Sequence, residues 1–115
     1  MSFSNQEIEE FKVEALELLE VAERSLLGLD AAGDFRPVFD SVFRSFHNLK
    51  GASGMMELHR LQEHTHGLEN ILMQFKGAAS MPKPYVNLFL RGIDAARLLL
   101  EGKEVAFSFE VEEGK

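Results

Sequence analysis

The amino-acid sequence predicts an all-α fold: an antiparallel up-down bundle of four helices with a short C-terminal extension. Four segments carry apolar residues at spacings of three and four, which is the period of a helix with one buried face. The connections between these segments are short, and short connections place consecutive helices antiparallel. A chain of 115 residues suits one domain with one hydrophobic core. We therefore expect a bundle domain over residues 1–104 and a tail over residues 105–115 that is either docked or a disordered linker.

The first helix begins with a capping box, Ser4-x-x-Glu7, in which each side chain accepts a hydrogen bond from the other residue's backbone N–H. Phe3 and Ile8 are spaced to form a hydrophobic staple across this start. We expect the helix to span about residues 5 to 29, with glutamate dominating its outer face. Its predicted inner positions are Ile8, Phe11, Ala15, Leu18, Ala22 and Leu29.

The other three helices also have recognisable ends. Asp34 can cap the second helix after a short connection at residues 31–34. The third helix is expected over about residues 58–76, and the fourth over about residues 82–102, with a proline at its start and a glycine at its end. The predicted inner stripes are Phe35, Phe39, Val42, Phe46 and Leu49; Leu61, Thr65, Leu68, Leu72 and Phe75; and Val86, Phe89, Ile93, Ala96 and Leu100.

Composition excludes several classes of function. The formal net charge of −7 argues against nucleic acid and against an anionic membrane surface, because both attract clustered Lys and Arg. No apolar run approaches the length of a transmembrane helix, and the N-terminus lacks the features of a signal peptide. The chain has no cysteine, which excludes disulfides and thiolate chemistry. We expect a cytoplasmic protein, and its acidic surface favours a monomer.

The most informative segment surrounds His47 on the second helix. Lys50, Gly51 and Gly54 fall on the same side of a helix as His47, so a cation and two residues without side-chain bulk lie beside the imidazole. Glycine costs about 1 kcal/mol relative to alanine inside a helix. We interpret the two glycines as a place where another protein approaches closely, and we expect His47 to be partly exposed on a rigid helix.

Two motifs together resemble a known family. The first is His47-x-x-Lys50-Gly51-x-x-Gly54, preceded by Val42-Phe43-Arg44, and the second runs over residues 61–72 as LQEHTHGLENIL. Both are similar to the histidine phosphotransfer (HPt) domain, in particular to the domain at the N-terminus of chemotaxis histidine kinases. The likeness covers about residues 5–101. It implies that His47 accepts a phosphoryl group and exchanges it with an aspartate of a receiver domain. Phe46 departs from the family, which often has a small residue there.

The residues themselves support a phosphotransfer chemistry. An imidazole attacks as the neutral base, and a carboxylate can hold the proton on its other nitrogen. If the second and third helices form a hairpin, Glu69 can accept the Nδ1 proton of His47 and leave Nε2 as the nucleophile. Lys50 can lend positive charge to phosphoryl oxygens. By resemblance, His66 matches a histidine beside the site in some family members, and it is either a wall of the site or a buried polar residue.

We expect the partner to dock on Phe43, Arg44, Gly51 and Gly54. The chain has no glycine-rich ATP loop and no carboxylate cluster like the magnesium site of a receiver. It should therefore be a phosphoryl carrier rather than an enzyme, with no cofactor of its own. A histidine kinase catalytic domain and a receiver domain would supply ATP and magnesium.

Two other classes of function stay open at this point. Glu63-x-x-His66 fits the pattern of metal-binding helical bundles, although such bundles use two of these motifs and the chain has one. A bundle that binds a partner through the glycine face without any chemistry is the other alternative. We expect His59 and His64 to face solvent.

Overall fold

The computed structural model describes residues 2–29 and 33–111. Within these residues it contains four α-helices and no strand, and each helix packs against its neighbours in sequence, with the fourth returning to the first. The predicted all-α four-helix bundle is confirmed. None of these helices combines the length and the apolar character needed to cross a membrane. The helices are α1 Asn5–Leu27, α2 Phe35–Met55, α3 His59–Met73 and α4 Lys83–Leu100.

The predicted helix starts are present. Ser4 Oγ accepts the Glu7 backbone N–H at 3.1 Å, and the Glu7 carboxylate accepts the Ser4 backbone N–H at 2.9 Å. Asp34 caps α2 by accepting the backbone N–H of Arg36 at 3.1 Å. The predicted connection at residues 31–34 lies partly outside the described residues.

The helix ends are less well predicted than the starts. α1 ends at Leu27, two residues early, and α3 ends at Met73 rather than at residue 76. After Met73 the backbone N–H groups bond three residues back instead of four, so the chain tightens into turns. Gly77 then takes a φ of 81°, a left-handed conformation that favours glycine and reverses the chain.

Phe46 lies at the centre of the core. Its side chain is fully buried, and its ring centroid lies 6.2 Å from that of Phe89 on α4, diagonally across the bundle. The large ring that departs from the family pattern is therefore accommodated by the core. The predicted stripes of α2, α3 and α4 are buried or half-buried. On α1 the structure adds Leu19 and Leu26, which are fully buried because α1 packs against both α2 and α4.

The tail contacts α3 and α4 through Phe107 and contacts α3 through Phe109, and its residues 112–115 lie outside the described residues. The rings of Phe107 and Phe109 lie 4.9 Å and 5.6 Å from the His64 ring. The prediction that His64 faces solvent is wrong: the residue is buried, and its Nε2 donates to the Gly92 carbonyl at 2.8 Å. The tail covers a position that would be open on an isolated helix. His59 is exposed, as expected.

Alanine at Gly51 and at Gly92 is expected to change stability in opposite directions. A Cβ at Gly51 would have no atom within 4 Å, so Gly51→Ala should gain up to about 1 kcal/mol from helix propensity. A Cβ at Gly92 would lie within 3.3 Å of three atoms of the buried Leu68 side chain. Overpacking of this kind costs about 1–3 kcal/mol, so Gly92→Ala should destabilise the fold. Urea unfolding of both variants checks this, and a shift of the same sign in both would contradict it.

His64 is expected to make the fold less stable at mildly acidic pH. Burial lowers the pKa of His64, and the hydrogen bond to the Gly92 carbonyl offsets only part of this effect. Between the folded pKa and the unfolded value of about 6.5, the unfolded chain binds more protons. The free energy of unfolding should therefore fall as the pH drops below about 6.5.

Two variants isolate this effect of His64. Gln at position 64 can still donate an N–H but does not titrate, so His64→Gln should lose less stability than the wild type on acidification. The exposed His59 is the matched control, and His59→Gln should keep the wild-type dependence. Urea unfolding at about pH 7.5 and about pH 5.5 gives the comparison. Equal losses in the wild type and in His64→Gln would exclude His64 as the cause.

Candidate functional site

His47 projects from α2 toward solvent beside α3, and 59% of its side chain is exposed. The neighbouring Phe46 and Leu49 are fully buried, so the helix that carries the imidazole is fixed in the core. The Nδ1 atom lies 2.8 Å from Oε2 of Glu69. An ionised carboxylate only accepts hydrogen bonds, so Nδ1 carries the proton and donates it. The Nε2 lone pair is then on the opposite edge of the ring, as a nucleophile requires.

Glu69 is a buried carboxylate with two donors. Only 7% of its side chain is exposed, and Oε1 accepts from Lys50 Nζ at 2.6 Å while Oε2 accepts from His47. Burial alone would raise the pKa of Glu69, but the hydrogen bonds from Lys50 and His47 outweigh it and hold this pKa below its usual value. Glu69 is therefore an anion at neutral pH. Glu69 thus links His47 and Lys50 through hydrogen bonds to its two oxygens.

Lys50 is paired with Glu69 in the structure. The sequence analysis did not predict this ion pair, in which 26% of the Lys50 side chain is exposed. Its first effect is thus to balance the charge of a buried carboxylate. An ammonium has three donors, so the pair with Glu69 leaves donors for an incoming phosphoryl group.

Phe43 is half-buried and stacks on the His47 imidazole. The two ring centroids are 5.7 Å apart, and the planes differ by 15°. The other side of the Phe43 ring stacks on Phe39 at 5.6 Å and 11°. The sequence analysis placed Phe43 on the docking surface and missed this stacking. The spacing of four between Phe39, Phe43 and His47 could have indicated it, because residues four apart are neighbours on a helix.

The two glycines of the motif have different surroundings. Gly51 is exposed with open space in front of it. A Cβ at Gly54 would overlap the side-chain amide of Gln62 on α3, so the missing side chain at Gly54 also allows α2 and α3 to pack. Arg44 is exposed. Met55, which the sequence analysis did not select, is 80% exposed and follows His47 and Gly51 at a spacing of four.

His66 is the candidate that the structure does not join to the site. Its side chain is exposed and makes no hydrogen bond, ion pair or ring contact within the described residues. His66 is therefore not a buried polar residue, which was one of the two roles expected for it. Glu63, its companion in the metal-binding hypothesis, is exposed as well. Within residues 2–29 and 33–111, no three His, Asp or Glu side chains are close enough to hold a metal ion.

Comparison with known proteins gives a family. The model of the Hpt domain matches residues 6–99. The sensor histidine kinase CheAY of Helicobacter pylori is 32% identical over 97 residues, which are 83% of this chain and 12% of that protein. The chemotaxis protein CheA of Treponema pallidum is 29% identical over 101 residues, which are 86% of this chain and 12% of that protein. This chain thus spans about an eighth of the length of these relatives.

A solved structure has the same fold. It is the crystal structure of the phosphorylated P1 domain of CheA3 in complex with CheY6 from R. sphaeroides, with a TM-score of 0.79 and 25% identity. The likeness covers 86% of this chain and 78% of that one. The four helices, the His47 motif on α2 and the family match over residues 6–99 agree with one another. The chain belongs to the Hpt domain family.

Proposed function

We propose that this domain carries a phosphoryl group on Nε2 of His47 and exchanges it with the aspartate of a receiver domain. The observation that carries the proposal is the 2.8 Å contact between His47 Nδ1 and the buried Glu69 carboxylate. It holds the proton on Nδ1, so the lone pair of the exposed imidazole is on Nε2. An exposed nucleophile on a rigid helix suits a group that is delivered by one protein and collected by another.

The transfer requires little of the domain beyond this arrangement. The Nε2 lone pair forms the bond to phosphorus while the bond from phosphorus to the aspartyl oxygen breaks, and its electron pair returns to the receiver's carboxylate. The imidazole keeps its Nδ1 proton and gains positive charge, which the Glu69 carboxylate stabilises. Lys50 keeps Glu69 ionised and can donate to the phosphoryl oxygens. The reverse steps return the group to a receiver.

The domain acts in this proposal as a carrier rather than as an enzyme. A histidine kinase catalytic domain would supply ATP chemistry, and the receiver would supply its own magnesium site. The relative named as a sensor histidine kinase supports this division, since the chain matches only 12% of its length. We assign the carrier to residues 1–104, with residues 105–115 as an accessory tail, and we place the exchange in the cytoplasm between a monomeric domain and its partners.

The receiver would dock on the α2 surface around His47. Arg44, Gly51 and Met55 are exposed there, and Gly51 leaves space for a backbone to come close to the imidazole. The complex of the R. sphaeroides P1 domain with CheY6 supports a CheY-type receiver as the partner. His66 lies three residues before Glu69, and a role for it at this surface depends on contacts that the receiver would make.

The first test is labelling from a receiver loaded with radioactive phosphate. We expect the wild type to acquire a label that is labile in acid and stable in base, and His47→Gln to acquire none while remaining folded. His59→Gln is the matched control and should be labelled fully, since His59 is exposed and makes no contact with the site. Full labelling of His47→Gln would refute the proposal.

Removal of the Glu69 carboxylate should slow the transfer. Glu69→Ala deprives the Nδ1 proton of its acceptor, and we expect the rate to fall at least about tenfold because positioned proton acceptors contribute that much or more. Glu69→Gln keeps one carbonyl oxygen and should lose less. Rapid-quench measurement of labelled protein gives both rates. Equal rates in the wild type and in Glu69→Ala would mean that the contact has no part in the chemistry.

Bulk at Gly51 should weaken docking without harm to the fold. Gly51→Leu would place a large side chain in the open space beside His47, and we expect the affinity for the receiver to fall about tenfold, equivalent to about 1.4 kcal/mol. Gly51→Ala is the control, because its small side chain should stabilise the helix and change affinity little. Isothermal titration calorimetry measures the affinities. Wild-type affinity in Gly51→Leu would place the receiver elsewhere.

A further inference from the structure

Four aromatic side chains form a continuous row along α2 and end at the reactive histidine. Phe35, Phe39, Phe43 and His47 follow one another at a spacing of four. The first pair meets edge to face at 6.3 Å, and the next two pairs stack at 5.6 Å and 5.7 Å. The row begins in the core, where Phe35 is fully buried, and ends at the surface. His47 is therefore connected to the core through its ring face as well as through its helix.

The imidazole needs two restraints to have a fixed orientation. Rotation about its χ2 angle is soft, because a torsion between tetrahedral and planar atoms has broad minima. The hydrogen bond to Glu69 holds one edge of the ring, but a hydrogen bond tolerates angular deviations of about 30° and so leaves some rotation about χ2. The Phe43 ring lies beside one face of the imidazole, with 5.7 Å between the centroids and planes within 15° of parallel, and it restricts that rotation. Edge and face restraints together fix the direction of the Nε2 lone pair, which lies in the ring plane.

We propose that Phe43 is a positioning residue for phosphoryl transfer, which rests on the function proposed above. It holds the imidazole plane so that the Nε2 lone pair meets the phosphorus in line with the breaking bond. The 59% exposure of the His47 side chain makes this restraint necessary, since few other atoms surround the ring.

Phe43 also favours the charged form of the ring that the transfer produces. When Nε2 bonds to phosphorus and Nδ1 keeps its proton, the imidazole acquires positive charge. The face of a phenylalanine ring is electron-rich and attracts a cation more strongly than a neutral ring. An interaction that is stronger in the transition state than in the ground state raises the rate of the chemical step. Phe43 and Glu69 thus both stabilise the positive charge on the imidazole, Glu69 from the edge of the ring and Phe43 from its face.

The alternative role for Phe43 is contact with the receiver, and kinetics separate the two. A docking residue would change the receiver concentration at half-saturation, whereas a positioning residue would change the maximal rate. The measurement is single-turnover transfer from a CheY-type receiver loaded with acetyl phosphate, over a range of receiver concentrations. The variants are Phe43→Leu, which keeps apolar volume, and Phe43→Tyr, which keeps an aromatic face. Phe75→Leu is the control, because Phe75 is also half-buried but packs edge to face against Tyr85, away from His47.

We expect Phe43→Leu to lower the maximal rate by roughly three- to tenfold, the size of an aromatic pair contact, with half-saturation unchanged. Phe43→Tyr should stay within about twofold of the wild type, and so should Phe75→Leu. In NMR spectra the imidazole C–H signals of His47 should show the ring-current shift of a stacked aromatic in the wild type and in Phe43→Tyr. This shift should be absent in Phe43→Leu.

Each other result counts against the inference. A wild-type maximal rate in Phe43→Leu overturns it, as does a change confined to half-saturation. Equal losses in Phe43→Leu and Phe75→Leu would indicate a general loss of packing and would also overturn it. If Phe43→Leu unfolds, Phe43→Met, which fills the same space flexibly, replaces it. Absence of transfer in the wild type would instead refute the proposed function, and the NMR comparison would still decide whether Phe43 orients the ring.

Discussion

The site depends on one buried carboxylate that two donors from a neighbouring helix share. Glu69 lies on α3, and both His47 and Lys50 reach it from α2. A buried anion is costly unless it is paired and hydrogen-bonded, so the three side chains stabilise one another. Loss of either donor would leave the carboxylate short of a partner. The reactive ring is therefore oriented by the same contact that makes the burial of Glu69 acceptable.

This arrangement requires that α2 and α3 keep a fixed separation. The Phe46 and Phe89 rings fix α2 in the core, and the absence of a side chain at Gly92 lets Leu68 of α3 pack closely on α4. Leu68 directly precedes Glu69 in the chain. The position of the carboxylate thus follows from core packing, and close-packed interiors transmit small displacements. Chemistry at the surface of this domain is set by apolar contacts beneath it.

Much of the fold and the centre of the site could be predicted because they depend on spacing along single helices. The periodic apolar stripes gave four helices, and the pairing of Glu69 with His47 followed from a hairpin of the second and third. The features that spacing along one helix did not predict arise where distant segments meet. His64 is buried between the tail and α4, and the Gln62 side chain of α3 lies where a Cβ at Gly54 would be. The stacking of Phe43 on His47 lay within one helix but required knowledge of rotamers.

Each helix packs on two others, so α1 and α3 lie on opposite sides of the bundle. The reactive groups lie on α2 and α3, whereas α1 packs only on α2 and α4 among the described helices. The outer face of α1 is solvent-exposed, with Val13 56% exposed. Because the chain contains no cysteine, a single one introduced on that face would be its sole thiol. A fluorophore or surface tether could therefore be attached there chemically. Phosphotransfer could then be followed on single molecules with no label on the α2 surface around His47.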